Sequence, residues 1–163
     1  MKKLYLTQIN NVIAEATFLP LSVAYVWEYC NANVDGWELG SILFERDTVE
    51  NYVEQIIDPD VVALSTYVWN WTVSQELARA IKQKYPNCMI VMGGPQVPYR
   101  QSWLKQNRDI CDVIVTYAGE RTFAELLKGN LTAPGIMTVD SYTAPKPDKL
   151  IEDIPSPYLS GLM

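Results

Sequence analysis

Three short segments carry side chains that could hold a large, partly flat and partly polar ligand. The first is Ser65-Thr66-Tyr67-Val68-Trp69-Asn70-Trp71. It sets small hydroxyls beside three aromatic rings, so that Ser65 and Thr66 can hydrogen-bond a polar ligand part while a ring faces a flat one. The plainer reading is that the rings cap the core. The second is Gly93-Gly94-Pro95, where two residues without Cβ allow either a sharp turn or close approach of a ligand to the backbone. The third is Thr116-Tyr117-Ala118-Gly119-Glu120. Here Gly119 opens a loop and Glu120 stands at a helix start, where the helix dipole favours a carboxylate. A glutamate there serves equally well as a simple helix-start residue.

The residue types that are missing narrow the chemistry further. The sequence has no histidine, which removes the usual general base and the commonest metal ligand. Its three cysteines, Cys30, Cys88 and Cys111, are far apart and form no CxxC or CxxxCxxC set, which argues against a zinc site, a disulfide frame or an iron–sulfur cluster in this chain. Neither GxGxxG nor GxxxxGK[ST] occurs, so dinucleotide and P-loop readings have no support. A flavin would need a phosphate-cradling loop after the first strand, for which Gln8-Ile9-Asn10-Asn11 is a poor candidate. No catalytic residue and no metal ligand is assigned. With 13 basic against 19 acidic side chains the net charge is −6, a field that repels nucleic acid. No apolar run approaches the roughly 20 residues of a membrane span, and MKKLYLTQINN alternates instead of forming a signal-peptide core. A cytoplasmic protein is expected.

These segments need elements to position them. Short apolar runs at Leu4–Ile9, Leu39–Phe44, Val61–Ser65, Met89–Met92 and Val113–Thr116 read as strands buried on both faces. Between them the apolar residues recur with helical period. One helix is expected from Asp47, with Asp47 and Glu50 as a capping box and Val49, Tyr52, Val53, Ile56 and Ile57 on one face. A second runs from Thr72 to Pro86, a third from about Glu120 to Lys128 with Gly129 as terminator, and a fourth starts near Pro20. The alternation predicts an α/β fold, an open, doubly wound parallel sheet of flavodoxin-like or Rossmann-like order, with a possible edge strand at Gly135–Val139. Residues 1–140 form this domain. Residues 141–163 hold four of the ten prolines and read as an extended linker or arm.

In open α/β sheets ligands bind at the carboxyl ends of the strands, and all three segments follow a strand. They converge on one edge and form a long cleft suited to a ligand with an extended tail. A response regulator would place an aspartate and a lysine where Ser65 and Tyr117 stand, so phosphotransfer is disfavoured.

The segments LSTYVWN at 64–70, VMGGPQVP at 91–98, YAGERTFAELL at 117–127 and IPSPYLSGL at 154–162, in this order, resemble the N-terminal cobalamin-binding domain of cobalamin-dependent radical S-adenosylmethionine (SAM) enzymes. The resemblance covers Val61 to the C-terminus well and the first sixty residues in outline. It implies a cobalamin whose nucleotide tail threads between the sheet and its flanking helices while the corrin ring rests over the strand ends. Ser65, Thr66, Tyr67, Trp69 and Asn70 would meet the ring or its amides. Gly93, Gly94 and Pro95 would let the tail pass, Gly119 with Glu120 would close the far side, and Thr116 and Tyr117 would be further cofactor-binding residues beside them. A branched side chain at Gly94 is therefore expected to obstruct the tail while leaving the fold almost intact.

Two departures from the wider pattern stand out. The DxHxxG loop of related proteins reads Asn10-Asn11-Val12-Ile13-Ala14-Glu15 here, so the cobalt would be base-off without a histidine ligand, a state that suits methyl transfer. The usual GEGE turn reads Tyr117-Ala118-Gly119-Glu120. Lacking a CxxxCxxC motif, the chain would be a module and not a complete enzyme. Its partner would be a radical SAM catalytic domain, in cis if the chain is a fragment or in trans if it stands alone. The alternative is a degenerate relative that binds no cofactor and acts in protein interaction or regulation.

Overall fold

The computed structural model describes residues 1–147 and 152–163. Along the chain lie β1 (Lys2–Thr7), a small hairpin of β2 (Val12–Ile13) and β3 (Ala16–Thr17), α1 (Leu21–Asn33), β4 (Trp37–Leu43), α2 (Val49–Gln55) and β5 (Val61–Ser65). Then follow α3 (Trp71–Lys84), β6 (Met89–Gly93), α4 (Gln101–Gln106), β7 (Val113–Val115), α5 (Glu120–Leu127) and β8 (Ile136–Met137). The main sheet runs β4-β1-β5-β6-β7-β8. Its first five strands are parallel, and β8 closes the edge antiparallel to β7. This is the doubly wound, flavodoxin-like order.

The period of two along each strand divides the core into two layers. Tyr5, Val62, Leu64, Ile90, Met92 and Ile114 pack with residues of α2, α3 and α4. Leu4, Leu6, Val61, Ala63, Val91, Val113 and Val115 face α1 and α5. Helix α3 offers Ser74, Leu77, Ala78 and Ile81 to its layer and stops before Pro86, which cannot continue the ladder. Helix α5 buries Phe123, Ala124, Leu126 and Leu127 and ends at Gly129, whose φ of +89° makes the left-handed exit glycine favours.

Several expectations need correction. Helix α2 is capped one residue later than expected: Thr48 Oγ1 accepts from Asn51 N at 3.2 Å, while Asp47 accepts from Thr48 N and from the Asn51 amide. Thr48 wins because its hydroxyl reaches the third helical N–H, which the Asp47–Glu50 box would not satisfy. Ile57 lies beyond the helix and is exposed. Strand β4 is an edge strand and mostly half-buried, not covered on both faces. The β2–β3 hairpin and α4 were not anticipated; the hairpin turns through Ala14 and Glu15, both at positive φ, without the glycine or asparagine that usually announces such a turn.

The boundary at residue 140 is crossed by pairing, since Tyr142 bridges to Met137 and Gly135 N donates to Thr143 O at 2.9 Å. Part of the proline-rich stretch, 148–151, lies outside the described residues. Beyond it, Asp153 pairs with Arg121 at 2.6 Å, Ser160 Oγ donates to Glu28 Oε1 at 2.8 Å, and Leu162 packs on the α1/α5 layer.

Candidate functional site

The strand ends leave a cleft of about 560 Å³ on the α1/α5 side of the sheet. Its floor is Leu6, Ala63, Val91 and Val115, one residue from each of four adjacent strands. Its walls are the first turns of α1, through Ser22, Val23 and Val26, and of α5, through Glu120 and Phe123. The cleft exists because side chains are small where the helices approach. Ala63 interrupts a run of valine and leucine in β5, and Gly93 and Gly119 present no side chain at all. A Cβ built on Gly119 would stand 3.5 Å from Val26 Cγ2 and 3.9 Å from Val115 Cγ1, inside the gap itself.

Of the residues singled out by sequence, Ser65, Tyr67, Gly93, Gly94, Pro95, Tyr117, Gly119 and Glu120 line this cleft. The in-register pairing of Ser65 with Gly93 brings the first two segments side by side. Trp69 stands just outside it, stacked on Tyr67 with ring centroids 4.5 Å apart and planes 10° from parallel. Together with Gln8, Asn10, Asn11, Ile13 and Phe18 these rings border a smaller hollow beside the hairpin. Arg46 ties the two loops by donating to Asn11 Oδ1 at 2.8 Å and to the Trp69 carbonyl.

Thr66, Asn70 and Thr116 turn inward. Each is buried, and each has its polar atoms engaged with the chain. Thr66 Oγ1 donates to Gly93 O at 2.7 Å and accepts from Val97 N at 3.0 Å. Thr116 Oγ1 donates to Gly135 O at 3.0 Å. The Asn70 amide donates to Ile9 O and Ser65 O, both at 3.0 Å, while its Oδ1 accepts from Tyr67 N at 2.8 Å. Asn70 thus holds the ends of β1 and β5 and the aromatic loop in one place. Asn70→Ala should cost about 3 kcal/mol, because it leaves buried carbonyls and an N–H without partners. In a domain of this size that lowers Tm by about 6–12 °C, measurable by calorimetry.

Gly94 behaves differently from the expectation placed on it. Its φ is +92°, and a Cβ there would stand 2.5 Å from Thr66 O and 2.8 Å from Thr66 N. The obstruction is the neighbouring backbone and not the cleft. The turn Gly93–Val97 wraps Thr66 so tightly, with Gln96 N donating to Thr66 O at 3.2 Å, that no side chain fits. The fold itself requires this glycine.

The sequence reading also overlooked Tyr99. Its hydroxyl donates to Gly94 O at 3.0 Å and accepts from Tyr117 N at 3.3 Å, joining the glycine turn to the loop after β7. Burial raises its pKa above the usual phenol range. Tyr117 itself sits at φ +59°, a conformation that costs a non-glycine residue about 1–2 kcal/mol. The cysteines play no part at the site. All three are buried thiols, pushed up by desolvation from 9.0 to about 12, and so neutral and inert near pH 7.

The cleft is lined largely by aliphatic carbon, with the Ser22 and Ser65 hydroxyls, the Tyr67 and Tyr99 phenols and the Glu120 carboxylate near its mouth. That division suits a ligand with an apolar planar end to bury and a polar body to leave at the strand ends. Among the described residues no group of three or more His, Cys, Asp or Glu is placed to hold a metal ion, and no helix is long and apolar enough to cross a membrane.

The sequence matches the model of the B12 binding domain over residues 9–127, a span that contains every loop at the cleft mouth. The cobalamin-dependent radical SAM methyltransferase TokK of Streptomyces tokunonensis is 32% identical over 177 aligned positions, covering 99% of this chain and 25% of the relative. The 2-(S-pantetheinyl)-carbapenam-3-carboxylate methyltransferase of Streptantibioticus cattleyicolor is 33% identical over 178 positions, with the same two coverages. The chain therefore spans about a quarter of the length of these curated relatives. A flavodoxin-like sheet, an apolar cleft at its strand ends and a family match across both lead to one conclusion: this chain belongs to the B12-binding domain family.

Proposed function

We propose that the chain is the cobalamin-holding module of a radical SAM enzyme system, with the nucleotide tail in the α1/α5 cleft and the corrin ring over the strand ends. The observation that carries this is the cleft itself. A relative that had abandoned its ligand would be free to fill the space beside Ala63 and Gly119 and gain about 0.8 kcal/mol for each buried methylene. Here the space is kept open beside otherwise well-packed valines and leucines. Leu6, Ala63, Val91, Val115 and Phe123 would hold the flat end of the tail by apolar contact. Ser65 and Tyr67 would meet polar groups nearer the ring, and the Tyr67–Trp69 stack would offer it a flat ledge.

Cobalamin supplies a cobalt that carries a methyl group between donor and acceptor. The protein's task is to bind it, to orient it and to draw the tail away from the metal. With no histidine in the sequence, the protein would offer no imidazole to the cobalt, and a tail held in the cleft would keep the cofactor's own base away from it, so binding would be base-off. The catalytic partner is a radical SAM domain, in cis or in trans, since the Streptomyces tokunonensis relative is a cobalamin-dependent radical SAM methyltransferase. Mixing the protein with hydroxocobalamin, desalting and recording the visible spectrum tests the reading. Near-stoichiometric corrinoid absorbance is expected in the protein fraction; a colourless fraction would overturn it.

A further inference from the structure

We propose that Tyr117 determines selectivity for the complete cofactor, its ring being held over the cleft mouth so that it retains the nucleotide tail and not the corrin ring. This rests on the cobalamin reading above.

Four observations point to it. Tyr117 occupies a left-handed conformation at φ +59°, unfavourable for a residue with a side chain, while 70% of the residue stays exposed. Strain of this kind persists only where surrounding structure enforces it. The enforcement is visible, because Tyr99 accepts the Tyr117 N–H at 3.3 Å and meets its ring at 5.5 Å between centroids, tilted by 59°. Tyr99 is anchored in turn by donating to Gly94 O at 3.0 Å. Finally, Tyr117 lines the cleft together with Val115 and Gly119, on the side where a second hollow, bordered by Arg121, Thr122 and Pro134, also meets its ring. A large aromatic surface is thus left facing solvent at the entrance of an apolar cleft. A planar base passing beneath would bury it and gain an aromatic contact.

The test compares the parent with Tyr117→Gly and Tyr117→Phe, using hydroxocobalamin and cobinamide, a corrinoid without the nucleotide tail. Release is followed by stopped-flow dilution into excess competing corrinoid. Tyr117→Gly should release cobalamin about tenfold faster, as expected for one lost aromatic contact, while Tyr117→Phe stays near the parent. Cobinamide should leave all three proteins at the same rate. The ligand-free glycine variant should melt no lower than the parent, because glycine accepts the positive φ.

Equal cobalamin release from parent and Tyr117→Gly would overturn the inference alone. So would equal acceleration for cobinamide, which would place the ring's effect on the corrin, or a clear fall in melting temperature, which would make the ring structural. A parent that holds neither corrinoid would overturn the proposed function and this inference with it.

Discussion

A Gly119→Leu variant should fold like the parent and lose cobalamin. Gly119 sits at φ −94°, where any residue is at ease, and its missing Cβ would be in ordinary contact with Val26 and Val115. The backbone therefore tolerates a side chain. Replacing glycine at the N-cap of α5 with a residue that cannot cap should cost no more than about 1 kcal/mol, a shift in Tm of about 2–4 °C. The rest of the leucine has only the cleft between α1 and β7 to enter, and the space it takes is the space proposed for the tail. Displacing or deforming the tail by even about 3 kcal/mol weakens binding roughly a hundredfold. Equilibrium dialysis with hydroxocobalamin, paired with a thermal melt, separates the two effects. A stable variant with parental affinity would show that the tail lies elsewhere.

Gly94→Val should give the opposite pattern, with the fold failing first. The φ of +92° alone costs a valine about 1–2 kcal/mol or more. The clash with the Thr66 backbone, 2.5 Å from O and 2.8 Å from N, cannot be relieved by rotating a side chain. Moving Thr66 would break its bonds to Gly93, Gln96 and Val97. A total loss of about 4 kcal/mol or more is expected, lowering Tm by about 8–16 °C. Cobalamin loss by this variant would then report unfolding and not obstruction, so melting must be measured with and without corrinoid. A Gly94→Val protein with parental Tm would contradict this packing account.

The contrast between these glycines shows what was legible in the sequence. The α/β class, the helices at 21–33, 71–84 and 120–127 and the placing of three loops after strands follow from local pattern, because buried parallel strands and amphipathic helices repeat at periods that a single sequence displays, whereas the choice of the flavodoxin-like over a Rossmann-like strand order is set by non-local pairing. The direction in which a loop residue points does not. Ser65 and Thr66 are adjacent and chemically alike, yet one lines the cleft and the other is buried in a turn, a difference set by the alternation of β5 and by the wrapping of residues 93–97 around it. Asn70 is given to the ligand by the resemblance alone; its partners in the fold, Ile9 and Ser65, are known only once β1 and β5 are adjacent. Tyr99 carried no local signal, since its role depends on Gly94 and Tyr117 meeting across two loops. Ala63 could have been noticed as the small residue in VVALS, where a floor would need to be low. The cap of α2 slipped by one residue because Asp47 and Thr48 are both good caps and only geometry chooses between them.

In the proposed function this chain binds cobalamin with its nucleotide tail drawn into the α1/α5 cleft and no imidazole on the metal. Electron paramagnetic resonance of the protein-bound Co(II) form tests it most directly, because a nitrogen donor on the lower face splits the cobalt lines and its absence leaves them unsplit. The account predicts a bound, base-off spectrum without nitrogen splitting. A nitrogen-split spectrum from the protein fraction, or no corrinoid signal in that fraction at all, would contradict it.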